Sequence, residues 1–147
     1  MKQALAIAAL VAAVGAGGLQ GCSSLQAGET AQNARQKVVI QVSDADPQKW
    51  NLALNNAKNV QADLGKDKVQ IEIVAYGPGL GMLKADSKVA PRLADALDHG
   101  IGLLACENTM KNTKTTKADM YGGIAYVQAG VVHIMQRQGE GWAYVRP

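Results

Sequence analysis

Residues 100–110 read GIGLLACENTM: an unbroken apolar run, Ile101–Ala105, that ends on a cysteine and turns at once into polar residues. The run is too short for a buried helix and is bounded by Gly100 and the polar Glu107-Asn108-Thr109, so it reads as a strand. Apolar residues on both faces place such a strand inside a parallel sheet covered by helices on both sides. The segments on either side fit that expectation. Upstream, Val89, Leu93, Ala96 and Leu97 share one helix face, with Pro91 near the start and Gly100 at the end. Before that helix, Val69–Tyr76 (VQIEIVAY) alternates apolar and polar residues and closes on the turn residues Gly77-Pro78-Gly79. Earlier still, Asp46-Pro47 supplies a cap and a proline at the first helical position. Trp50, Leu54, Ala57, Val60 and Leu64 follow at helical spacing up to Gly65. Val38–Val42 (VVIQV) precedes them as a strand.

Downstream of the cysteine, a polar lysine-containing stretch leads to a fourth strand, Gly123–Val127. Val131, Ile134, Met135 and Gln138 suit a helix that Gly139 ends, although Val131–Met135 also reads as a strand. Trp142–Val145 makes a short last strand. Strands alternating with helices across short links define an α/β domain with a mostly parallel sheet and helices on both faces.

The N-terminus belongs to a different kind of segment. MKQALAIAALVAAVGAGGLQGCSS carries Lys2, an apolar stretch Ala4–Val14 and small residues Gly15–Gly21, the layout of an export signal. The apolar stretch falls short of the roughly 20 residues that a membrane span requires. Leu19-Gln20-Gly21-Cys22 resembles a bacterial lipobox, which implies cleavage before Cys22 and lipid attachment to it. The acyl chains would tie the chain to the periplasmic side of a membrane, and Ser23 in place of an aspartate favours the outer one. Three segments are therefore expected: a signal peptide over 1–21, a flexible tether over 22–36, and one domain over 37–147.

Removal of residues 1–21 takes one lysine and no acid from a total of 15 basic and 12 acidic side chains. So even a balance gives no footprint for nucleic acid. The sequence has no Phe, two Trp and four Tyr, so the core must be built from Val, Ile, Leu, Ala and Met.

With Cys22 lipidated, Cys106 is left as the lone thiol of an exported domain, where cysteines normally pair. It is either a small buried core residue or a reactive one. In open parallel sheets, functional groups gather beyond the carboxyl ends of the strands. Those ends supply a candidate pocket of Asp44, Gly77, Gly79, Asn108 and Thr109 around Cys106. A helix start after Cys106, capped by Asn108 or Thr109 and helped by Lys111, Lys114 and Lys117, would favour thiolate over thiol.

Four pieces carry a family resemblance: VSDADPQKWNLALNNAKN, VAYGPGLGML, GIGLLACENTM and AGVVHIMQRQGEGWAYVRP. In this order, over nearly all of residues 37–147, they resemble the DsrE/DsrF-like family of sulfur-relay proteins. The resemblance implies a three-layer α/β/α domain with a sheet of about five strands. It also implies a homo-oligomer (trimer or hexamer) and a persulfide on a cysteine at a strand end, the position of Cys106, with sulfur passed between a donor and an acceptor protein. No cofactor is implied. The residues after the cysteine depart from the family pattern of a small-residue helix and a basic pair.

Other constellations carry less. Asp44-x-Asp46 lacks a third ligand for a metal, and Asp46 serves as a helix cap. Gly77-x-Gly79-x-Gly81 lacks the spacing of nucleotide-binding loops; it reads as a turn that brings backbone near the site, with N–H groups available to an anion. Asn55, Asn56 and Asn59 on the first helix read first as solvated or packing residues, with loops near the cysteine as their alternative partners. His99 suits the end of a helix, and His133 shares a helix face with Arg137. Two histidines and one thiol fall short of a structural zinc site, and no Ser-His-Asp pattern supports a hydrolase. Two readings remain: a sulfur carrier acting through Cys106, and a tethered binding or structural module in which Cys106 is buried and inert.

Overall fold

The computed structural model describes residues 35–147. The expected signal segment 1–21, the expected lipidation site Cys22 and the expected tether up to residue 34 lie outside the described residues. Among the described residues, no helix is long and apolar enough to cross a membrane.

The chain order is β1 (Gln36–Val42), α1 (Pro47–Leu64), β2 (Val69–Ala75), a 3₁₀ stretch (Gly77–Leu83), α2 (Ala90–Asp98), β3 (Gly102–Cys106), α3 (Glu107–Asn112), β4 (Ala125–Val127), α4 (Gly130–Gly139) and β5 (Ala143–Val145). The expected elements are present with small shifts at their ends. β1 begins at Gln36, within the segment assigned to the tether. Cys106 is the last residue of its strand and not the first residue beyond it. Val131–Met135 is helical, not a strand.

The five strands form one sheet in the order β4-β3-β2-β1-β5, and every pairing is parallel. Alternation along the strands divides the core. Ile40, Ile73, Leu103 and Ala105 face α1 and α2, where they meet Trp50, Leu54 and Leu93. Val39, Val74 and Leu104 face the other way, onto Ile134 and Trp142. This is a three-layer α/β/α domain.

Local chemistry sets the helix ends. The Asp46 carboxylate accepts the Gln48 N–H at 2.8 Å, and Pro47 occupies the first turn, where its missing N–H costs nothing. Gly65 ends α1 at φ +93°, a backbone angle that glycine adopts without strain. Asp46→Ala should lower stability by about 1 kcal/mol, read as a lower urea midpoint with an unchanged slope.

Candidate functional site

The topology decides where a site can open. Steps from β1 through β4 run one way across the sheet, and the chain then returns to place β5 beside β1. Right-handed crossovers therefore send helices to opposite faces. Met110 of α3 packs in the larger core with α1 and α2, whereas Ile134 of α4 packs in the smaller one. The chain thus leaves β3 toward one face and β4 toward the other, which opens a crevice between their carboxyl ends. Cys106, paired with Val127 in the sheet, stands at that point.

Cys106 is 5% exposed. Its sulfur receives the N–H of Gly130, the first residue of α4, at 3.3 Å, and the Gln128 carbonyl lies 4.0 Å away. The first N–H groups of a helix have no partner within it, and here a sulfur supplies one. The link over the thiol is itself tied down: Asn108 N–H donates to the Gln128 carbonyl at 3.1 Å, and the Gln128 amide donates to the Asn108 side chain at 2.9 Å. Thr109 is oriented from the other side. Its hydroxyl oxygen accepts the Gly77 N–H at 2.9 Å, which leaves the hydroxyl hydrogen free to turn to the sulfur.

Burial is the largest influence on the Cys106 thiol and pushes its pKa up. Hydrogen bonds from the Thr109 hydroxyl, the Gly130 N–H and the N–H groups of Thr109 and Asn108 outweigh it, so the thiol ionises below its ordinary value. Thr109→Val removes one of these donors and leaves the Gly77 N–H unpaired. The Cys106 alkylation profile should then move to higher pH, with less thiolate at any pH below the midpoint. Stability should fall by about 1–3 kcal/mol.

Other residues singled out in the sequence take different places. Asn108 and Thr109 do not cap α3, because the cap position is Cys106 itself and no side chain closes the helix start. The N–H groups of Gly77 and Gly79 are both engaged inside the protein, on Thr109 and on the Tyr76 carbonyl. That loop is built for close approach: a Cβ on Gly79 would lie 2.3 Å from the Val42 carbonyl oxygen. Asp44 pairs with Lys49 at 3.4 Å and Arg146 at 3.8 Å. Among the described residues, no group of three or more His, Cys, Asp or Glu is arranged to hold a metal ion.

Lys117, one of the lysines expected to favour the thiolate, instead pairs with Glu107 at 3.5 Å and lies over the Tyr126 ring. Asn55 bonds Arg92 of α2, on the side of the sheet away from α4. His99 holds the Asp95 carbonyl at the end of α2. His133 turns to Glu72 on β2, with Nε2 and Oε2 2.7 Å apart. Glu72 pairs with Gly102, four residues before Cys106 along β3, so the histidine is held toward the opposite end of the strand from the thiol.

Sequence reasoning did not find Gly130, Gln128 or Glu72. The glycine carries its role in the backbone: a Cβ there would lie 3.1 Å from the Tyr76 ring. An open groove of about 400 Å³, lined by Val127, Gln128, Ala129, Val132, His133 and Gln136, adjoins the link that covers the sulfur.

The parallel five-stranded sheet with helices on both faces defines an α/β/α domain, with a hydrogen-bonded cysteine where its crossovers diverge. No family model matches the sequence, and no curated protein matches it. Among solved structures, MTH1491 of Methanobacterium thermoautotrophicum, a protein of unknown function, is 36% identical. It superposes with a TM-score of 0.73 over 76% of this chain and 99% of its own. The chain belongs to the family of MTH1491. BT1422 of Bacteroides thetaiotaomicron, also of unknown function, is 17% identical with a TM-score of 0.63 over 78% of this chain and 97% of its own. The ychN protein of E. coli, a DsrE-like fold, is 12% identical with a TM-score of 0.59 over 76% of this chain and 99% of its own. At such identities the last two speak for the fold alone.

Proposed function

We propose that this chain is a membrane-tethered sulfur carrier that holds sulfane sulfur as a persulfide on Cys106. One observation carries the reading: the Gly130 N–H meets the buried sulfur at 3.3 Å and, with the influence of the Thr109 hydroxyl, favours its thiolate. The thiolate attacks the outer sulfur of a donor persulfide. A bond forms between Cys106 Sγ and that sulfur, the donor's S–S bond breaks, and the electron pair leaves on the donor thiolate. The Cys106 proton has already gone to water, and no net oxidation or reduction is required. Transfer to an acceptor thiol is the same exchange with the roles reversed.

The lipid on Cys22 holds the carrier on the periplasmic side of a membrane, the outer one favoured. Its partners are a sulfur donor or acceptor protein and further copies of itself, as a trimer or hexamer. Val131 and Val132 at 51% exposure and Met135 at 64% give α4 an apolar outer face suited to such contact.

The second reading, a binding or structural module with an inert thiol, draws support from the 5% exposure of Cys106. Intact mass after incubation with a polysulfide separates the two. The carrier gains sulfur on the Cys106 peptide and releases it to a reductant. A chain that gains none, and whose Cys106 reacts with alkylating agents only on unfolding, is the inert module.

A further inference from the structure

Glu72 is the buried charged side chain among the described residues, 7% exposed, and the sulfur exchange does not use it. It lies on the face of β2 that meets α4. Arg137 grips it with two parallel bonds, Nε to Oε2 at 2.9 Å and Nη2 to Oε1 at 2.7 Å, and His133 Nε2 lies 2.7 Å from Oε2. Arg137 also donates to Glu140 at 2.8 Å and stacks 4.7 Å over the Trp142 ring. A two-pronged, charge-assisted contact of this kind fixes orientation as well as distance.

The helix has little else to hold it. Of the ten residues of α4, only Gly130 and Ile134 are buried, and Ala129 at its start offers no side-chain cap. Yet its first N–H is the one that meets the Cys106 sulfur. His133 and Arg137 follow Gly130 by three and seven residues on the same short rigid rod, so a tilt at the clamp displaces the N–H.

We infer that Glu72 is a positioning residue for Cys106: by pinning α4 to β2 through His133 and Arg137, it holds the Gly130 N–H against the cysteine sulfur and so sets how readily that sulfur reacts. The inference deepens the carrier reading and rests on Cys106 as the working atom. Two effects of opposite sign follow from neutralising Glu72. Loss of a negative charge by itself makes a thiolate easier to form. Loss of the clamp makes it harder. Glu72 lies four residues from the level of Cys106, about 13 Å along the strands. Coulomb energy falls with distance, so the charge acts weakly on the sulfur, whereas the Gly130 N–H touches it at 3.3 Å. The clamp effect therefore wins.

The test uses the full-length chain with Glu72→Gln and, separately, Arg137→Lys. The alkylation rate of the Cys106 peptide is followed against pH by mass spectrometry. Greater access to the thiol would raise the rate equally at every pH, whereas loss of the Gly130 bond moves the midpoint. The midpoint should rise in Glu72→Gln, with labelling relative to the high-pH plateau about tenfold slower at neutral pH. Arg137→Lys keeps the charge without the fork and should fall between. A folded Glu72→Gln chain whose midpoint stays put or moves down overturns the inference. If that variant does not fold, Arg137→Lys decides by the same criterion. Sulfur loading is read separately. A wild-type chain that never loads, but whose midpoint moves on Glu72→Gln, overturns the carrier and leaves the clamp standing.

Discussion

Cys106→Ser should abolish sulfur loading and leave the fold in place. The serine oxygen is smaller than sulfur but can accept the Gly130 N–H and donate to the Gln128 carbonyl, two groups that the sulfur meets in the structure. A buried hydroxyl with both partners is nearly neutral in stability, within about 1 kcal/mol of the thiol. Chemistry does not survive the same exchange. An alcohol stays protonated where the Cys106 thiol ionises, and an oxygen cannot carry a persulfide. The expected result is no added sulfur on that peptide, with an unchanged circular dichroism spectrum and a urea midpoint close to that of the parent. Loading that persists in the serine variant would place the acceptor elsewhere and end the carrier assignment to Cys106. Loss of both loading and fold would mean that the thiol's main work is packing.

The contrast between what the sequence disclosed and what it concealed follows from the range of the forces involved. Elements written in local chemistry were legible: Asp46-Pro47 opening α1, Gly65 closing it, and the unbroken run Ile101–Ala105 that belongs to a strand covered on both faces. The position of Cys106 at a strand end was legible for the same reason. Its surroundings were not, because they come from segments distant in the chain. Thr109 meets Gly77 across 32 residues, and Gly130 meets Cys106 across 24. A backbone N–H also leaves no mark in a side-chain pattern.

Glu72 was hidden more deeply. In VQIEIVAY its alternation with Ile71 and Ile73 marks a polar face, and a polar face on a strand normally meets water. Here α4 covers that face and brings Arg137 and His133 to the carboxylate. The signal available in the sequence was a histidine and an arginine four residues apart on one helix face, which together call for an acid. The lysines after Cys106 misled for the opposite reason: their proximity in sequence suggested a field at the thiol, whereas the nearby donors are hydrogen-bonding groups.

The largest loss of stability from a single methyl group is expected at Gly79. Its added Cβ would lie 2.3 Å from the Val42 oxygen, 2.6 Å from the Val42 carbonyl carbon and 2.9 Å from Ser43 Cα. All three are backbone atoms at or just past the end of β1, where Val42 pairs with Ala75 and its carbonyl accepts the Tyr76 N–H at 3.1 Å, so they cannot swing away as a side chain can. The 3₁₀ turn cannot withdraw either, because Leu80 and Leu83 anchor it in the larger core at 2% and 0% exposure. Overpacking in cores commonly costs about 1–3 kcal/mol, and a backbone collision with both partners fixed should exceed that range, a large share of the roughly 5–15 kcal/mol that holds a domain folded. Gly139→Ala is the control. No atom lies within 4 Å of its Cβ position in α4, and alanine should stabilise that helix end by up to about 1 kcal/mol. Urea unfolding of the two variants side by side measures the difference. The damage at Gly79 should also reach the thiol. Any displacement of the turn moves the Gly77 N–H that orients Thr109, so a folded Gly79→Ala chain should show the Cys106 alkylation midpoint shifted to higher pH. A variant with the parent's urea midpoint would mean that the turn moves freely past β1. The close approach would then have no part in holding the cysteine's donors in place.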